Sequence, residues 1–128
     1  MATTISAFFD RYRKAFESHD IEAMAKLVHL PCLLMSGRGV EVVTDPDGLE
    51  GHLRRQFAQN QMAELDHARA RVVSHRRLAP RFVDAEVAWE LLRKDGALIR
   101  GFGVRYTLTA PESGWRVVVV MPVDLASA

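Results

Sequence analysis

Phe82–Leu108, with the sequence FVDAEVAWELLRKDGALIRGFGVRYTL, is the stretch that decides the fold. Two β-prone runs flank the turn Lys94–Ala97. Asp-Gly between such runs is a strong hairpin signal, because glycine accepts the positive φ that a primed turn requires. Pairing Lys94 with Ala97 sets the register of the two strands. The predicted pairs are Leu92–Ile99, Trp89–Phe102, Val87–Val104, Glu86–Arg105 and Ala85–Tyr106.

This register gives the hairpin one apolar face and one charged face. The predicted inner face carries Val83, Ala85, Val87, Trp89, Phe102, Val104 and Tyr106. The predicted outer face carries Asp84, Glu86, Glu90 and Arg105. Such alternation is typical of an antiparallel sheet that buries one face in the core.

The stretch before the hairpin, Ala68–Leu78, predicts a neighbouring strand. The turn Ala79–Phe82 joins the two and carries proline at its second position. Its register places Arg77 opposite Asp84, His75 opposite Glu86 and Arg71 opposite Glu90. The outer face is therefore predicted to be a layer of cross-strand ion pairs. The same register turns Ala70, Val72 and Ser74 inward.

The first half of the chain predicts three amphipathic helices. The first follows a cap at Thr4 and buries a stripe with helical spacing, made of Ile5, Phe8, Phe9, Tyr12, Ala15 and Phe16. The second begins after Asp20 and is predicted to extend to Pro31, because a residue before proline avoids helical backbone. The third begins at Asp45-Pro46 and repeats Leu49, Leu53 and Phe57 every four residues. Between the last two, strands Leu33–Ser36 and Val40–Thr44 flank the turn Gly37–Gly39.

The last strand is predicted over Trp115–Val123, where four consecutive valines leave no polar face. Both of its faces should then be covered, one by the core and the other by a second subunit, so a homodimer is expected. The single cysteine, Cys32, cannot form an internal disulfide, and this favours a reducing, cytoplasmic location.

Composition excludes several classes of function. The net charge of +1 gives no general attraction to nucleic acid or to an anionic membrane. The start of the chain lacks the order of a signal peptide, and no apolar run approaches the ~20 residues of a spanning helix. The clusters Arg54-Arg55 and His75–Arg77 are short and interleaved with acids, so nucleic acid is not an expected partner. Gly101–Gly103 lies within a strand and is not a phosphate-binding loop. One domain, residues 1–128, is expected.

The order of helices and strands resembles the nuclear transport factor 2-like superfamily over essentially the whole chain. Residues 11–28, RYRKAFESHDIEAMAKLV, are similar to its opening helix pair, and Gly114–Val118 to its last strand. The resemblance implies an α+β fold. In it, a cone-shaped, strongly curved antiparallel sheet packs on three helices from the N-terminal half, with an apolar pocket between them. Members include ketosteroid isomerases, scytalone dehydratase, limonene epoxide hydrolase, polyketide cyclases and binding or scaffolding modules, so the fold alone selects no activity.

The ketosteroid isomerase template can be compared residue by residue. Its oxyanion-hole tyrosine falls on Tyr12, its general-base aspartate on Ser36 and its protonated acid near Val104. Only the first position matches, and a serine without a base partner cannot abstract a proton. Isomerase chemistry of that kind is therefore rejected. Tyr12, His52 and Ser36 remain the candidates for other acid–base chemistry.

The predicted pocket lies against the inner face of the sheet. Its lining is Tyr12, Phe16, Phe57, Trp89, Phe102, Tyr106 and Met121, with Arg100 at the mouth, where a guanidinium can hold a carboxylate. His29 and Cys32 stand close in sequence, but no second pair completes a zinc site, so no metal and no cofactor are expected. His29 is assigned to the end of the second helix and Cys32 to a buried apolar position.

Three functions stay open. The first is binding of a small apolar molecule in a pocket with few polar groups. The second is an isomerase, dehydratase or cyclase activity on a small apolar substrate, which needs an acid–base group with a shifted pKa inside the pocket. The third is a dimeric scaffold without a ligand, which predicts a filled core.

Overall fold

The computed structural model describes residues 4–110 and 114–124, which form three helices and one six-stranded sheet. The helices are α1 (Ile5–Glu17), α2 (Ile21–Ala25) and α3 (Pro46–Met62). The strands are β1 (Val28–Ser36), β2 (Gly39–Val43), β3 (His67–Ala79), β4 (Phe82–Leu92), β5 (Leu98–Thr109) and β6 (Arg116–Val123). Their order is β2-β1-β6-β5-β4-β3, and every neighbouring pair is antiparallel except β1–β6. Three helices on one curved, mainly antiparallel sheet confirm the predicted α+β architecture.

Helix α1 forms as predicted and is fastened to the edge strand of the sheet. The Thr4 side chain caps its start by accepting a hydrogen bond from the Ala7 backbone N–H at 3.0 Å. All six residues of the predicted apolar stripe are buried. At its end, the Glu17 carboxylate accepts from the Ala68 backbone N–H in β3 at 2.8 Å and from Arg13 at 2.7 Å. One carboxylate therefore fixes the helix end to the sheet.

Helix α2 is shorter than predicted. Asp20 caps it, but it ends at Ala25, and Pro31 lies inside β1 rather than at a helix end. The reason is tertiary pairing, because the Leu27 carbonyl accepts from the Val117 N–H at 2.8 Å and Val28 then pairs with β6. The assignment of His29 to a helix end was therefore wrong. His29 lies in β1, where its Nδ1 is 3.1 Å from the Pro31 carbonyl oxygen.

The β4–β5 hairpin has the predicted register over most of its length. Four of the five predicted pairs form, from Ala85–Tyr106 through Trp89–Phe102. The fifth is wrong, because a bulge next to the turn pairs Leu92 with Leu98 instead of Ile99. The inner face is buried at Val83, Ala85, Val87, Trp89, Val104 and Tyr106. The positions that line the core were therefore predicted correctly.

Two bulges change the pairing of β3 with β4. They lie between Val72 and Ser74 and between Arg77 and Ala79, and each shifts the register by one residue. The predicted ion pairs of Arg77, His75 and Arg71 with the β4 acids were therefore wrong. Ser74 pairs with Glu86, which faces outward, so its predicted inward position was also wrong. Ala70 and Val72 pack against the core as predicted, since two single shifts restore the alternation.

A bulge in β6 decides which of its residues face the helices. It follows the Leu108–Val117 pair, after which Thr107 pairs with Val119 and Arg105 with Met121. Val117 and Val120 consequently contact the core, while Val119 and Met121 lie on the outer face. Within residues 4–110 and 114–124, no helix is both long and apolar enough to cross a membrane.

Candidate functional site

An aromatic cluster lies between α1 and the inner face of β4 and β5. Tyr12 comes from α1, Trp89 from β4 and Tyr106 from β5. The Tyr12 ring lies 6.1 Å from the Trp89 ring and 5.5 Å from the Tyr106 ring, measured between centroids. Two further rings belong to the α1 side. The Phe9 centroid lies 4.9 Å from that of Tyr106, and the Phe16 centroid lies 5.4 Å from that of Trp89. These separations are typical of favourable ring–ring packing.

A chain of hydrogen bonds runs through this cluster. The Trp89 indole Nε1–H donates to the Tyr106 hydroxyl at 3.0 Å. Burial raises the pKa of Tyr12 to about 12, and a side-chain hydrogen bond with Tyr106 offsets part of that rise. Burial also raises the pKa of Tyr106, and the bond with Tyr12 adds to that rise. The Tyr106 and Tyr12 hydroxyls are therefore hydrogen-bonded to each other, which extends the chain from Trp89 through Tyr106 to Tyr12.

This Trp89–Tyr106–Tyr12 relay ends in the Tyr12 hydroxyl. A hydroxyl has one proton to donate and two lone pairs that accept, so the bond with Tyr106 leaves part of this capacity free. Tyr12 is only 8% exposed, so water supplies further partners poorly. A ligand polar group beside this hydroxyl would therefore be stabilised by a hydrogen bond.

The cluster becomes more exposed towards the hairpin end of β5. The Phe102 ring stacks parallel to Trp89 with centroids 6.5 Å apart, and it is only partly buried. The exposed Arg100 guanidinium lies over the Phe102 ring, 4.6 Å from the ring centroid. The Trp89 indole, the Phe102 ring and the Arg100 guanidinium therefore follow one another from the relay towards solvent. On the α3 side, the Phe57 ring packs against Phe16, with 6.1 Å between the ring centroids.

A concavity of about 510 Å³ lies beside the outer face of β3, β4 and β5. Its lining is Arg69, Ala70, Arg71, Ala88, Trp89, Glu90, Gly101 and Phe102. Register places Arg69, Glu90 and Gly101 side by side on the outer face, with Arg71 beside Ala88. Trp89 and Phe102 belong to the aromatic cluster as well, so the concavity borders that cluster.

The family model described as NTF2-like protein (DUF6841) matches residues 3–125. The chain belongs to this NTF2-like family. No curated protein is significantly similar to it in sequence.

Solved structures share the fold of this NTF2-like chain at low sequence identity. An NTF2-like protein of unknown function from Shewanella oneidensis MR-1 is 12% identical with a TM-score of 0.73, over 94% of this chain and 96% of that one. A proposed calcium/calmodulin-dependent protein kinase type II association domain from Thiobacillus denitrificans is 16% identical with a TM-score of 0.77, over 98% of both chains. An NTF2-like superfamily protein from Salmonella enterica is 17% identical with a TM-score of 0.65, over 97% of this chain and 90% of that one. At these identities the likeness concerns the fold alone.

Three predicted site residues of this NTF2-like domain lie away from the aromatic cluster. Met121 is on the outer face, because the β6 bulge reverses the side it faces. Ser36 is exposed at the end of β1, where its Oγ accepts from the Arg38 N–H at 3.2 Å. His52 lies on α3 with its Nδ1 3.1 Å from Glu41 Oε1 in β2, so its imidazole is directed at a carboxylate. The other predicted lining residues lie in the aromatic cluster or at its edge.

Cys32 lies close enough to Tyr12 to raise the pKa of that tyrosine, whereas His29 bonds within β1. Cys32 is buried, as predicted, and burial raises the pKa of its thiol. Among the described residues, no group of three or more histidine, cysteine or acidic side chains is placed to hold a metal ion.

The link between α1 and α2 holds a histidine whose titration should affect stability. His19 has a left-handed backbone, φ 56°, and its ring meets that of Phe57 edge-on, with 5.1 Å between the centroids. Its buried Nε2 has no hydrogen-bond partner among the described residues. Burial lowers its pKa below the ordinary value, so the unfolded chain binds the proton more readily than the folded one. The stability that neutral His19 contributes is present above about pH 6.5 and is lost as pH falls towards the folded-state pKa.

We therefore expect His19→Asn to reduce the pH dependence of stability, since asparagine tolerates this backbone without titrating. The melting temperature should be lower at about pH 5.5 than at about pH 7.5, and this difference should be larger in the wild type than in the variant. An equal fall in both proteins would show that His19 does not carry this dependence.

Proposed function

We propose that this NTF2-like domain binds a small, mostly apolar molecule that carries a hydrogen-bond acceptor, without catalysing a reaction. The observation that supports the proposal is the buried Tyr12 hydroxyl at the end of the Trp89–Tyr106–Tyr12 relay, set among aromatic rings. A ligand carbonyl or hydroxyl oxygen would accept from Tyr12, and aromatic side chains would surround its apolar part. If Tyr106 donates to Tyr12, this bond and the one from Trp89 would polarise the Tyr12 hydroxyl and strengthen its bond to an acceptor.

The titration of the cluster favours binding over acid–base catalysis. Both tyrosines have a raised pKa, so at neutral pH they are hydrogen-bond donors and not bases. His52 and Ser36, the other catalytic candidates, have partners elsewhere. An isomerase, dehydratase or cyclase would need a base close to Tyr12. The titratable side chains that affect the pKa of Tyr12 are Tyr106 and Cys32, and burial raises the pKa of both. Turnover of a bound ligand by the purified protein would revive this alternative.

The partly exposed end of the cluster suggests which ligands would be preferred. Arg100 covers the Phe102 ring and is close to solvent, so a ligand that displaces it would meet a cation at the rim. An aromatic or terpenoid body with a neutral acceptor at one end and a carboxylate at the other would use both features. We also propose that residues 1–128 form one domain and that it is located in the cytoplasm.

A thermal-shift screen tests the binding proposal. The probes are neutral aromatic ketones, sterols, terpenoids and aromatic acids. A ligand at a hundred times its dissociation constant adds about 2.7 kcal/mol, which raises the melting temperature by several degrees. The Tyr12→Phe variant keeps the ring but not the proton, so it should lose most of that shift. Met62→Ala, at a side chain 85% exposed, is the control and should keep the shift. A full shift in Tyr12→Phe would contradict the assigned role of the hydroxyl.

Self-association is a second candidate function, supported by an apolar area on the outer face of the sheet. This β1–β2–β6 patch consists of Leu33, Met35, Val40, Val42, Val119 and Met121. Register places Val42, Leu33 and Val119 side by side, and Val40 beside Met35. Val40 and Val42 are 62% and 61% exposed, and none of the six belongs to the core. We propose that a second copy of the chain covers this patch and forms a homodimer.

A further inference from the structure

We propose that the exposed half of β3 and the following turn bind an acidic, extended segment of another polypeptide, which adds as a strand to the free edge of the sheet. The relevant segment, called the basic arm here, is residues 73–82. All ten of its residues are exposed. The basic arm is independent of the ligand-binding cluster and of the β1–β2–β6 patch.

The charges of the basic arm are unbalanced. Arg76, Arg77 and Arg81 lie within it together with His75, and it contains no acidic residue. None of these four side chains forms an ion pair with another described residue; Arg77 instead donates to the Pro80 carbonyl at 2.9 Å. The arm is therefore a concentrated positive region on a chain whose net charge is only +1.

The nearby acids do not neutralise the arm. The β3 bulges place Ser74 opposite Glu86 and Arg76 opposite Asp84, in place of the predicted His75 and Arg77. The Asp84 carboxylate is nevertheless engaged by β5, since it accepts from Arg105 at 2.6 Å and from the Thr107 hydroxyl at 3.0 Å. The exposed arginines of the arm can therefore pair with acids supplied by a partner.

The edge position of the arm favours a polypeptide as the partner. β3 is the end strand of the sheet, and over residues 73–79 it pairs with β4 and with no other element of the described chain. Its outer edge therefore offers backbone donors and acceptors that an extended peptide can use. Val73, Leu78 and Phe82 are 43%, 46% and 42% exposed, which adds apolar contact area for alternate side chains of such a strand.

Charge excludes a second copy of β3 as the occupant. Pairing two basic arms edge to edge would bring Arg76 and Arg77 of each copy together, and like charges on adjacent strands repel. An acidic strand reverses the sign of these contacts. The partner that fits is therefore a different polypeptide with alternating acidic and apolar residues.

Fluorescence anisotropy tests this with a labelled ten-residue peptide of alternating glutamate and valine. We expect saturable binding that weakens with salt, because the arginine–glutamate contacts are exposed and screened. Charge reversal in the variant R76E/R77E should weaken binding at least about tenfold. The matched control R38E/K94E changes the same charge at two exposed turn residues and should bind as the wild type does. Unchanged melting curves would show that both variants are folded.

A second peptide separates strand addition from simple charge attraction. It has the same sequence with N-methyl groups at alternate amides, which removes half of its backbone donors while keeping its charge. Strand addition predicts at least about tenfold weaker binding of this peptide. Equal binding of both peptides, equal binding to R76E/R77E, or no binding at low salt would each overturn the proposal.

Discussion

Replacing Trp89 with alanine should destabilise the folded protein by about 3–5 kcal/mol, the range for removing a large buried aromatic residue. Trp89 is 3% exposed and contacts the rings of Phe16, Tyr12 and Phe102. It also supplies the N–H that begins the relay to Tyr106. The substitution therefore removes packing on three sides and leaves a buried hydroxyl without its donor.

Chemical denaturation at equilibrium measures this loss. Trp89→Phe should cost less, because it restores part of the ring packing and omits only the donor. Met62→Ala should change stability by no more than about 0.5 kcal/mol, since this residue is exposed. A loss below about 1 kcal/mol for Trp89→Ala, at an unchanged slope with denaturant, would contradict the packing described for the cluster.

Replacing Val42 with aspartate should convert the proposed homodimer to a monomer. Val42 lies in the β1–β2–β6 patch beside Leu33, and dimerisation would bury its side chain against the second copy. An unpaired carboxylate in an apolar interface costs several kcal/mol, and two-fold symmetry applies the cost twice. We expect the affinity of the two copies for each other to fall at least about a hundredfold, measured by sedimentation velocity over a range of concentrations.

Val73→Asp is the matched control for this prediction. It adds the same charge at an exposed valine on the opposite edge of the sheet, outside the patch. The control should associate as the wild type does. A wild type that is monomeric at high concentration, or a Val42→Asp variant that still dimerises, would contradict the proposed interface.

Short-range patterns predicted the elements and their buried faces well. The α1 stripe, the caps at Thr4, Asp20 and Asp45, and the central β4–β5 register all follow from spacing and turn chemistry. These features depend on residues close in sequence. The C-terminal end of α2 is set instead by the pairing of β1 with β6, which lie about ninety residues apart in sequence. No local sequence signal indicates this pairing.

The bulges account for most of the remaining errors. One extra residue in β6 moves Met121 from the predicted pocket to the outer face. The sequence does not indicate this bulge, because a run of valines has no apolar–polar alternation from which the facing of each residue could be predicted. Two further bulges in β3 replace a predicted layer of ion pairs with an unbalanced basic edge. The relay was also missed, although its members were predicted on one face. Trp89 and Tyr106 are not cross-strand partners, so register alone does not bring their polar atoms together.

The comparison that tests the binding proposal most directly uses an aromatic ketone found in the screen and its analogue with a methylene in place of the carbonyl. Isothermal titration calorimetry gives both affinities for the wild type and for Tyr12→Phe. If the relay donates to the ligand, the ketone should bind the wild type about tenfold more tightly than the analogue, as expected for one buried hydrogen bond, and Tyr12→Phe should abolish the difference. Equal affinities of the two compounds for the wild type would show that the Tyr12 proton plays no part in ligand binding.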